Sequence, residues 1–141
     1  MHNDLSHELK RDRREALRDY SASLMSNTKW RAVFTALANP ELAIRQIIAK
    51  FVGVEEEKPM HLPWLEAPHA FVDSADFGPF PLVGIEWIEI PATAIFPRSN
   101  NVAAERYAQD LVAIRSALEA TGKQFPLQDS ANGLRILGHV R

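Results

Sequence analysis

The chain has 141 residues, a net charge of −2 and no cysteine, so it is the size of one domain and can bury about two-thirds of its unfolded surface without covalent cross-links. The lack of cysteine excludes thiolate catalysis, thiol redox chemistry and zinc sites built on sulfur, and it fits a reducing, cytoplasmic compartment. Residues 1–15 are too charged for a secretory signal, and no stretch reaches the ~20 apolar residues of a membrane span, so a soluble protein is expected.

Leu5, Leu9, Leu17, Tyr20 and Leu24 recur near the helical period, which predicts an opening helix with one thin apolar stripe. Five bases (Lys10, Arg11, Arg13, Arg14, Arg18) alternate with four acids (Glu8, Asp12, Glu15, Asp19). That alternation marks a solvated face rather than a basic arm for nucleic acid. The break at Arg13 implies loose docking, and residues 1–26 read as a charged helical extension of a single domain over residues 27–141.

Ser26, Asn27 and Thr28 offer caps for a second helix, in which Trp30, Val33, Phe34 and Leu37 share one face until Asn39-Pro40 ends it. Ile44 to Val54 suits either a helix or a strand; the expectation is a helical start near Pro40 giving way to a strand from about Ala49. From Glu55 to Phe80, prolines at 59, 63, 68 and 79 predict turn-rich chain with short strands at most, such as Ala70 to Val72.

Val83 to Ile90 is the clearest strand. Val83, Ile85, Trp87 and Glu89 alternate with Gly84, Glu86, Ile88 and Ile90, so both faces are mostly apolar and the strand reads as central. Its two carboxylates need an edge, water or a base, and Arg135 is one candidate partner. A long helix is predicted next, capped by Asn100 or Asn101, burying Ala103, Tyr107, Leu111, Ile114 and Leu118 and closing at Gly122. Leu134 to Val140 alternates as the last strand. The expected class is α+β, an antiparallel or mixed sheet of about four strands packed against two or three helices.

No catalytic constellation stands out. His61, Glu66 and His69 could converge on a metal, but Pro63 and Pro68 forbid the helix that would align them, and no metal site is expected. There is no Gly-x-Ser-x-Gly elbow and no glycine-rich phosphate loop, so no cofactor is expected. The pairs Asp73 and Asp76, or Glu86 and Glu89, are spaced three apart, which in a strand or loop does not set up an acid and a base.

Charge is the more informative signal. Gly53 to Pro91 holds eight acids against one base, Lys58, while both flanks are net basic. Nucleic acid, which requires a basic face, is thereby excluded as an expected partner. Glu55, Glu56, Glu57, Glu66, Asp73 and Asp76 are interleaved with Trp64, Phe77 and other aromatics. Aromatics ringed by charge either anchor a protein interface or pin a long loop to the core. On the first reading Glu55, Glu56, Glu57, Trp64, Glu66, Asp73, Asp76 and Phe77 form a surface for a basic protein.

Asn27-Thr28-Lys29-Trp30, Ile85-Glu86-Trp87-Ile88-Glu89-Ile90 and the segment from Leu134 to Val140 together resemble a family of small bacterial proteins classed as a domain of unknown function. The likeness runs from Asn27 to Arg141 and implies an α+β fold and a bacterial origin. Trp64-Leu65-Glu66-Ala67 stands where the family carries an aromatic, glycine-bearing turn, so no loop function carries over. In style the chain is also similar to bacterial immunity proteins, which neutralise a toxin by covering its active site. The expected function is a non-enzymatic protein-binding module, concretely an immunity-type antitoxin for a basic toxin. The alternatives are a small enzyme using acidic residues and a structural or regulatory oligomer.

Overall fold

The computed structural model describes residues 2–141, with side chains from residue 5 onward. In chain order the elements are helix α1 (His2–Asp19), strand β1 (Ala22–Ser23), helix α2 (Asn27–Leu37), and strands β2 (Ile47–Phe51), β3 (Glu57–Met60), β4 (Phe71–Val72) and β5 (Phe80–Pro81). There follow β6 (Ile85–Pro91), β7 (Thr93–Phe96), β8 (Glu105–Ala108), helix α3 (Leu111–Glu119), β9 (Leu127–Asp129), β10 (Gly133–Leu137) and β11 (His139–Val140). Five strands form the main sheet in the order β3-β2-β6-β10-β9, and β1–β11, β4–β5 and β7–β8 make two-stranded ladders. Each pairing is antiparallel. The class is α+β, as expected.

Local chemistry accounts for α2. The Ser26 hydroxyl accepts from the Lys29 N–H at 3.1 Å, and the helical spacing of Trp30, Val33, Phe34 and Leu37 buries all four. They meet Ile114 and Leu118 of α3 and the sheet residues Ile47, Ala49, Ile88, Ile90, Leu134 and Ile136 in one core. The helices thus cover one face of the sheet.

The central strand departs from strict alternation. Ile85, Ile88 and Ile90 all belong to the core, although residues 85 and 88 would point to opposite faces of a regular strand. In the pairing with β2, Lys50 faces Trp87 and Phe51 faces Ile85, so Glu86 has no opposite residue. This is a β-bulge, in which one extra residue resets the alternation. It returns Ile85 to the core and leaves Glu86 to accept from Lys50 Nζ at 3.1 Å and from the Tyr20 hydroxyl. Burial, and then the bond to Glu86, push the Tyr20 phenol up to about 12. Gly138 stands between β10 and β11, and only glycine fits there, because a Cβ would fall 2.2 Å from the Ile85 carbonyl oxygen.

Helix α1 packs along the predicted stripe except at Leu17, with Leu5 and Leu9 half-buried on the packing face. Leu17 is 85% exposed, whereas Asp12, Ala16 and Tyr20 are buried, and α1 lies on β5 and the 3-10 turn Leu82–Gly84. Asp12 faces Gly84, where a Cβ would fall 2.3 Å from Oδ2. Burial raises the Asp12 pKa against the lowering influence of Arg11, with Glu8 and Glu15 adding to the rise. A carboxyl that binds its proton more tightly when folded contributes stability below its unfolded pKa of ~3.9, and that contribution is lost as pH rises through the folded value. Asp12→Asn is therefore expected to raise the melting temperature at pH 7 and to bring no gain near pH 3.5. Equal gains at both pH values in parallel thermal melts would disprove this.

Two expectations are corrected, and the short strands allowed in the proline-rich segment are located. Residues 40–42 form only a 3-10 turn and β2 begins at Ile47, because Ala43 takes a left-handed φ of 49° that breaks any helix there. The acidic end of the proline-rich segment forms β3, whose Pro59 sits on the sheet edge where its missing N–H is tolerated. The predicted long helix is two elements. Asn100 and Asn101 have φ near +60°, which suits a tight loop rather than an N-cap. Glu105–Ala108 pairs with Thr93–Phe96 as a hairpin, and α3 starts where the Asp110 carboxylate accepts from the Ala113 N–H.

Candidate functional site

The outer face of the sheet, opposite the helices, carries the site. Across the strands, Pro59, Ile48, Glu89 and Arg135 stand opposite one another in register. They form one cross-strand row of mixed character. Pro59, Ile48 and Glu89 line a cleft of about 880 Å³ whose far wall is the β7–β8 hairpin, with Ile95, Phe96 and Arg106. Glu57, His61 and Asp76 close its near end.

Two buried glutamines fix the hairpin wall. The Gln46 amide donates to the Ile95 carbonyl at 2.8 Å and accepts from the Ile95 N–H at 3.1 Å, imitating a strand partner. Gln109 Oε1 accepts from the N–H groups of Arg45 and Gln46, and its Nε2 donates to the carbonyls of Gln46 and Pro91. Each amide is satisfied, which its burial requires.

Glu89 is the charged group at the cleft floor. Its side chain is only 5% exposed, and Oε1 accepts from Arg135 Nε at 3.0 Å and from the Ser130 hydroxyl at 2.6 Å. The Arg135 guanidinium lies 3.9 Å above the Trp87 ring, so a cation–π contact orients the arginine that holds Glu89. At the near end the Asp76 carboxylate accepts from the His61 N–H at 2.9 Å and lies 3.3 Å from His61 Nδ1. The His61 ring stacks on Phe96 at 6.1 Å, Phe96 meets Tyr107 edge-on, and Arg45 lies 3.9 Å over Tyr107. The Tyr107 hydroxyl and then Arg98 donate to Glu105 and hold its carboxyl below the usual range.

The residues singled out from sequence are divided among four places. Glu57 and Asp76 line the cleft, while Glu55 and Glu56 are exposed in the turn that leads into β3. Glu56 makes a surface pair with Lys58 at 3.7 Å. Phe77, 45% exposed, lines a separate groove beside α1 with Lys58 and Phe80 and sits edge-on to Phe51. Trp64, 42% exposed, bridges to Asp73 through two backbone hydrogen bonds, and exposed Glu66 is two residues further on. Arg31 of α2 holds this loop by donating to the carbonyls of Leu65, His69 and Phe71. His61 and His69 are drawn to different partners, Asp76 and Thr28. Among the described residues no group of three or more metal-ligating side chains comes together.

Sequence reasoning missed Phe96, Arg106, Gln46 and Gln109. Leu111, Ile114 and Leu118 do share a face of α3, but Tyr107, four residues before Leu111, falls at helical spacing by coincidence and belongs to β8. Asp110, three residues before Ala113, carried the cap signal for a later helix start.

These features define a class: a small α+β domain whose main sheet is covered by helices on one face and bears a cleft with an acidic floor and near end on the other. Residues 13–141 match the family described as a family of unknown function (DUF6678), and the chain belongs to that family. The match begins inside α1 and so includes Ala16, which packs on the domain. No curated protein and no solved structure matches the chain. No helix among the described residues is long and apolar enough to cross a membrane.

Proposed function

We propose that the chain is a non-enzymatic, cytoplasmic protein-binding module that presents an acidic surface to a basic partner. One observation carries this reading, the division of the acids between internal pairs and free surface. Glu86 is taken up by Lys50 and Tyr20, and Glu89 by Arg135 and Ser130. Both bases come from the basic flanks. Glu55, Glu57 and Glu66 stay exposed and outside the ion pairs of the described residues, with Trp64 and Phe77 half-exposed in the same segment. Uncompensated surface carboxylates attract a cationic protein and raise its association rate. In its most concrete form the module is an immunity-type antitoxin and the partner a basic toxin.

Reversing Glu55, Glu56, Glu57 and Glu66 to lysine is expected to leave the melting temperature within about 2 °C, as surface changes away from structural contacts do. The same change is expected to abolish recovery of the partner from host extract, quantified by mass spectrometry. Equal recovery on both baits would refute the proposal. The alternative, a small enzyme using acidic residues, draws on the shared cleft of Glu89, Asp76 and His61. An enzyme would release a chemically altered ligand, and the mass of the captured partner separates the two readings.

A further inference from the structure

We infer that the cleft is built to receive an arginine side chain from an extended basic segment of the protein partner. The inference rests on the binding reading and locates its specific contact. Four observations converge on it.

The first is the free oxygen of Glu89. Oε1 holds both Arg135 and Ser130, whereas Oε2 accepts no hydrogen bond from the described residues. No fully buried polar side-chain atom in the described residues lacks a partner. Oε2 is therefore the point at which this otherwise buried carboxylate opens to the cleft that it lines. A carboxylate oxygen kept largely from water and without a donor calls for one from a ligand.

The second is charge. Glu57 and Asp76 line the cleft without an arginine or lysine partner among the described residues, Glu89 is already balanced by Arg135, and the lining itself holds one arginine, Arg106, so the balance of charge favours a cation over an anion. The third is the apolar lining. Ile48, Pro59 and Ile95 offer surface to methylene groups, and arginine carries such a stem below its charged head. The fourth is the His61–Phe96 stack, a flat wall on which a planar, weakly hydrated guanidinium packs better than an ammonium. An uncharged apolar ligand would cover Oε2 without giving it a donor, which disfavours it.

The test is a titration of the ¹⁵N-labelled chain with a blocked hexapeptide of alternating glycine and arginine. The control peptide carries citrulline, which keeps the shape and removes the charge. Saturable shifts are expected at the amides of Ile48, Glu57, Thr93 and Phe96 with the arginine peptide and none with the citrulline peptide. Glu57→Gln and Asp76→Asn are each expected to weaken binding by about tenfold, and Glu55→Gln is expected to leave it unchanged. Shifts confined to residues 54–56 and 64–66 would overturn the cleft assignment while leaving the acidic-surface reading intact. No shift at all from millimolar peptide would overturn both. Equal binding of the two peptides would overturn the charge assignment. Movement of the same cleft amides on simple dilution of the chain would make a second copy the occupant, and would overturn it as well.

Discussion

Trp30→Ala is expected to destabilise the fold by about 3–5 kcal/mol, the range for truncating a large aromatic in a packed core. Trp30 is 1% exposed, stacks on Phe34 with centroids 5.9 Å apart, and lies against the backbone at Gly138. No neighbour can close such a gap cheaply, because Gly138 already sits against the Ile85 carbonyl and β10 is fixed by its register with β6. Trp87 provides the contrast. It is 7% exposed but lies on the outer face, beneath Arg135, so Trp87→Ala removes a contact that solvent can partly replace and has the smaller effect. Urea unfolding at 25 °C measures both. A loss below 1 kcal/mol for Trp30→Ala would show that the residue is not a core anchor.

Gln109→Ala is expected to cost roughly 3 kcal/mol or more. Four backbone groups depend on its amide: the N–H groups of Arg45 and Gln46 and the carbonyls of Gln46 and Pro91. Each polar group left buried without a partner costs about 1–3 kcal/mol, offset where water enters. The loss has a location as well as a size. Gln109 joins the start of β2 to the end of β6 and to the base of the hairpin, so amides 93–96 should exchange faster with solvent than those of the sheet centre. Uniform exchange across the chain in a hydrogen-exchange experiment would contradict that local role.

The fold was legible where one residue pattern admits one structure. Trp30, Val33, Phe34 and Leu37 cannot share a face except in a helix, and the doubly apolar run from Ile85 to Ile90 marked the central strand. It was illegible where a period arises by chance. Tyr107 and Leu111 stand four apart yet belong to a strand and a helix, and only the Asp110 cap distinguishes them. The bulge at Glu86 leaves no periodic trace, because a single inserted residue shifts which face is buried without changing which residues are apolar. For the site, the excess of acid was readable from composition. The partition into paired and exposed carboxylates was not, since Lys50 and Arg135 reach Glu86 and Glu89 only through strand register. The cleft itself depends on two glutamines, a residue type with no periodic or charge signature.

The strand order has a bearing on how the sheet assembles. β2 with β3, and β10 with β9, are neighbours along the chain and can zip locally as hairpins. β6 has no such partner, since both of its neighbours arrive from distant segments. Two preformed halves must therefore wait for the strand between them, and such non-local closure is slow for its size. Until β6 inserts, the inward edges of both hairpins are open, and that interval is when the chain is most exposed to pairing with copies of itself.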